Sequence, residues 1–76
     1  MSTLITLLAG IRPEFDFTTS ADFIADGMLD SFDVVTLVAA LDKQYGISID
    51  GMDVIPENFR NLETIVALLG KYQVEP

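Results

Sequence analysis

Ser31 lies between Asp30 and Asp33 in "DGMLDSFDVV", residues 26–35, directly ahead of a helical apolar pattern. A serine in that setting has three uses. It can cap a helix, because its oxygen accepts from an amide two or three residues on. It can attack as a nucleophile, given an adjacent base and an oxyanion site. It can also serve as a handle to which another enzyme attaches a group. The nucleophile is the weakest of the three, because the 76 residues include no histidine and no cysteine and "LDSFD" is not a glycine-flanked elbow. The same absences remove thiol chemistry, disulfides, the usual zinc ligands and the imidazole base. A handle fits well: unpaired amides and the positive dipole end at a helix start suit an added phosphodiester.

Charge narrows the partners. Twelve acids against four bases leave a net charge of −8, which repels phosphate backbones and anionic lipid, so basic protein surfaces are the expected partners and nucleic acid is not. Between Arg12 and Lys43 lie Glu14, Asp16, Asp22, Asp26, Asp30, Asp33 and Asp42 with no base among them. That spacing predicts a strongly negative flank around Ser31, or simply a solvated, solubility-promoting face. Neither Asp26, Asp30 and Asp33 nor Asp50 and Asp53 has the ligand spacing and closing Glu of a calcium loop, so no metal site is expected.

A chain this short builds one modest core, so residues 1–76 read as a single domain with little room for a catalytic cleft. No apolar run approaches the roughly 18–20 residues that span a bilayer. "MSTLITLLAGIR" lacks a basic leader and a cleavage site, and the expectation is a cytoplasmic monomer.

The elements that must position Ser31 follow from spacing. Leu4, Leu7, Leu8 and Ile11 recur helically after Ser2, a candidate cap, and Gly10 and Pro13 close that helix. Residues 13–31 have no sustained period, yet Phe15, Phe17, Phe23, Ile24, Met28 and Leu29 predict a long loop pinned to the core. From Phe32 to Tyr45 the stripe Val34, Val35, Leu37, Val38, Leu41 and Tyr45 marks the principal helix, stopped by Gly46. "ISIDGMDVIPENF" predicts a short extended piece around Ile47 and Ile49, then one helical turn. Asn61 caps a last helix that buries Leu62, Ile65, Val66, Leu68 and Leu69 and carries Glu63 in its first turn. The class is all-α, with three main helices and one short one.

With these elements in order, "DGMLDSFDVVTLVAALDKQYGISI" resembles the core of acyl carrier proteins and related aminoacyl or peptidyl carriers, and "IPENFRNLETIVALLGKY" resembles their closing helices. The resemblance spans most of residues 4–72 and implies a small four-helix bundle of acyl-carrier type with a long loop between helices 1 and 2. It implies that Ser31 receives 4′-phosphopantetheine from coenzyme A through a phosphopantetheinyl transferase, with Asp30 beside it helping that enzyme engage. The arm's thiol would hold an acyl or aminoacyl group as a thioester, and the protein would be no enzyme. An adenylating ligase or acyltransferase would load the cargo and a downstream enzyme accept it. Leu29, Phe32, Asp33, Thr36 and Ala39 would contact partners, although Phe32 reads equally well as a core residue. "DSF" in place of Asp-Ser-Leu is similar to D-alanyl carrier proteins, and Thr36, Ala39, Ala40 and Lys43 stand where fatty-acid carriers are richer in Glu. The reading of another class is an acidic helical interaction module without a prosthetic group, in which Ser31 only caps.

Overall fold

The computed structural model describes residues 2–76. It has three α-helices: α1 over Ser2–Ile11, α2 over Ser31–Tyr45 and α3 over Leu62–Lys71. Two 3-10 turns, Gly51–Asp53 and Pro56–Phe59, lie between α2 and α3. The described residues contain no strand, and the fold is the all-helical bundle expected. The short fourth helix is replaced by the two turns. The Asp50 carboxylate accepts from the Met52 amide at 2.8 Å and starts the first turn. Ile55 then adopts an extended backbone, φ −128° and ψ 151°, as a residue before proline prefers. Pro56 opens the second turn with its φ preset but no amide to donate back, so the two turns cannot join into one helix.

The core gathers one face from each helix: Leu4 and Leu8 from α1, Val34, Leu37 and Leu41 from α2, and Ile65, Leu68 and Leu69 from α3, around Phe59. The stripe on α2 is narrower than its sequence suggests. Val35 is 61% exposed, because at about 100° per residue it falls beyond the edge of the face that Val34, Leu37 and Leu41 share. Helix ends follow the sequence more closely. Gly46 takes the left-handed conformation, φ 64° and ψ 38°, that an L side chain resists, and the Asn61 side chain accepts from the Thr64 amide at 2.9 Å. Ser2 is itself the first residue of α1, so the position that would cap that helix lies outside the described residues.

The loop from Arg12 to Asp30 carries α2 to its place. Phe17, Phe23, Met28 and Leu29 are buried, and the rings of Phe17 and Phe23 meet edge to face at 4.9 Å. Buried backbone needs partners, and the loop finds them. The amides of Met28 and Leu29 both donate to the Phe23 carbonyl, and the Phe23 amide donates to the Arg60 carbonyl. Asn61 donates to the Ala21 carbonyl at 3.1 Å. The loop is thereby fastened to the start of α3, and the chain enters α2 from a fixed direction.

Candidate functional site

Asp30, not Ser31, caps α2. Its backbone is extended, φ −100° and ψ −178°, and its Oδ1 accepts from the Asp33 amide at 2.8 Å. Asp33 answers by accepting from the Asp30 amide at 3.2 Å, which closes a capping box. A carboxylate at the cap satisfies an amide and also meets the positive end of the helix dipole, both in its favour. Ser31 becomes the first helical residue, exposed to solvent, and takes no part in the box. The reading of Ser31 as the cap is corrected, and its hydroxyl is left available for other chemistry.

Arg12 lies at the centre of the flank that the sequence shows as acidic. Its guanidinium donates from Nε to Asp33 Oδ2 at 2.8 Å and lies 3.5 Å from both Asp30 Oδ2 and Glu14 Oε2. Burial of Asp33 works to raise its pKa, but the Asp30 amide and the Arg12 guanidinium outweigh that and hold the carboxyl below the usual carboxylate range. Asp33 is only 7% exposed, so the expectation that it meets partners is corrected: its charge is spent inside the molecule. The negative field around Ser31 is therefore weaker than the run of acids implied. The only sequence signal for Arg12 was its position just past α1, where a helix end favours a cation.

Of the remaining residues expected to meet partners, Phe32, Thr36 and Ala39 share one exposed face of α2 and Val35 joins them. Phe32 is 76% exposed, which sets aside its reading as a core residue. Leu29 departs from that group. It is 2% exposed and packs in the core, so it offers no surface to a partner. Leu29 instead helps line a cavity of about 300 Å³ beside Ser31, closed by Val34 of α2, by Val54 and Ile55 from between the two 3-10 turns and by Pro56 at the start of the second. Those last three come from distant sequence and carried no signal of their own.

An exposed serine hydroxyl at the first turn of a capped helix, next to an apolar cavity, suits covalent attachment better than catalysis. Comparison with known proteins agrees. A family model described as the phosphopantetheine attachment site matches residues 2–69. The chain belongs to this carrier family. No curated protein and no solved structure gives a significant match. Carriers of this family hold a covalently attached 4′-phosphopantetheine and catalyse nothing themselves. No described helix is long and apolar enough to cross a membrane.

Proposed function

We propose that Ser31 is the attachment point of the prosthetic group and that this carrier holds an acyl or aminoacyl group and passes it between enzymes. The observation that carries the reading is the division of labour at the helix start: Asp30 takes the cap, which leaves Ser31 exposed on a rigid first turn. The Ser31 hydroxyl displaces the nucleotide portion of coenzyme A to form a phosphodiester, with base and metal supplied by a transferase. The site fits the product. The amides of Ser31 and Phe32 precede the first intrahelical bond, from Val34 to Asp30, and such amides favour a negative group. When bound, the group supplies the thiol on which cargo is held as a thioester.

The face of Phe32, Val35, Thr36 and Ala39 is the surface offered to the transferase, to the loading ligase or acyltransferase and to the acceptor enzyme. Leu29, Val34, Val54 and Ile55 give the cavity apolar walls that suit an acyl chain, and Asp30, which also lines it, offers a carboxylate to the ammonium of an aminoacyl cargo, so the cavity accommodates either class. Intact mass after incubation with coenzyme A and a promiscuous transferase tests the attachment. The parent gains one phosphopantetheinyl unit and Ser31→Ala gains none. Full labelling of the Ala variant would place the site elsewhere.

A further inference from the structure

Asp53 joins two parts of the molecule that the carrier reading does not itself connect. Its Oδ1 meets Lys71 Nζ at 2.6 Å, its Oδ2 accepts from the Tyr72 hydroxyl at 2.7 Å, and its carbonyl accepts from Asn58 at 2.7 Å. The Tyr72 hydroxyl in turn accepts from the Asp50 amide at 2.8 Å. The end of α3 thus grips both ends of the first 3-10 turn. The Lys71 and Tyr72 hydrogen bonds hold the Asp53 carboxyl below its usual range, so the grip is made with the carboxylate.

The gripped segment has little else to hold it. From Asp50 to Asn58 no residue is fully buried, and Met52 is 86% exposed. Val54 alone of the segment packs against the core, part-buried, and full apolar burial resumes at Phe59. Segments with few buried contacts open at low free energy, so polar ties weigh more here than in the core. The three residues after Asp53 are also the outer wall of the cavity beside Ser31. A second cavity of about 410 Å³, lined by Asp53, Asn58, Leu68 and Lys71, lies against α3, and Ile55 lines both.

We propose that Asp53, gripped by Lys71 and Tyr72, is the latch of a strap formed by residues 50–58, and that this latch sets the size of the cargo group that shelters beside Ser31. Latched, the strap holds Ile55 between the two cavities and confines cargo to the one at Ser31. Released, Ile55 moves and the two spaces join, so that a longer group fits. The size-setting role rests on attachment at Ser31, whereas the latch does not.

Amide hydrogen exchange on the unmodified parent, Asp53→Asn and Tyr72→Phe proteins tests the latch without any prosthetic group. Loss of a hydrogen bond to a charged group should speed exchange at Val54 and Asn58 by about tenfold or more in both variants, with Leu37 and Leu41 in α2 unchanged. Unchanged strap amides, or an equal acceleration in α2, would overturn the latch. For the cargo arm, holo-protein is loaded with short and long straight-chain acyl groups and each thioester is cleaved with hydroxylamine. Asp53→Asn should lower the ratio of long-chain to short-chain cleavage rates relative to the parent. A ratio that does not move overturns the size-setting role even if the latch stands. Failure of the parent to load at Ser31 refutes the carrier reading and with it the size-setting role, and the exchange result still decides the latch.

Discussion

Exchanging the roles of Asp30 and Ser31 gives a sharp test of the helix start. In Asp30→Ala the Asp33 amide loses its acceptor at 2.8 Å and the capping box opens. Loss of an N-cap carboxylate costs about 0.5–2 kcal/mol. The contact from Arg12 to Asp30 is long, at 3.5 Å, and exposed, and adds little to that figure. In a domain of this size about 1 kcal/mol lowers the melting temperature by about 4–8 °C. Ser31→Ala removes a hydroxyl outside the box and installs a better helix former, so its stability should stay within about 0.5 kcal/mol of the parent. Asp30→Asn keeps an acceptor at the cap and should recover most of what Asp30→Ala loses. Thermal unfolding of the four unmodified proteins by circular dichroism, at one pH and salt concentration, reads all of this. If Ser31→Ala melts below Asp30→Ala, the cap is Ser31 and the reasoning from the box is wrong.

Leu41→Ala, at a fully buried position, should cost about 2–5 kcal/mol through lost transfer energy and a cavity, whereas Val35→Ala should stay within about 0.5 kcal/mol; urea unfolding of both variants checks the contrast. Phe32→Ala should leave the melting temperature unchanged and slow modification of Ser31 by a transferase, read as initial rates; an unchanged rate would remove the α2 face from recognition. The pH dependence has a definite sign: Asp33 has a lower pKa folded than unfolded. Its stabilisation is therefore complete above the unfolded value of about 3.9 and is lost as pH falls through the folded one. Asp33→Asn should flatten the acid limb of the unfolding curve. Gly46→Ala places a side chain at φ 64° and should cost about 1–2 kcal/mol by calorimetry.

Much of the arrangement was already in the order of residues. The stripe Val34, Leu37 and Leu41, the stop at Gly46, the cap at Asn61 and the loop anchors Phe17, Phe23 and Met28 are local or periodic signals, set by side-chain size, helix geometry and the conformations glycine and asparagine allow. So is the candidate site, because a serine ahead of an apolar helical run without any base or thiol nearby limits the chemistry to capping or attachment. Tertiary structure decided what depends on residues far apart in the chain. Arg12 reaches Asp33 across 21 positions and converts an expected surface charge into a part-buried pair. Leu29 and Phe32, both expected to face partners, part company because the loop folds Leu29 into the core while Phe32 stands on the exposed face of α2. The cavity beside Ser31 needs Val54, Ile55 and Pro56, and Asp53 needs Tyr72 19 residues away. Composition and period report which residues prefer burial or a helix. Which charge meets which, and which wall closes on which serine, is fixed only when the helices pack and bring those atoms within hydrogen-bonding and van der Waals distance.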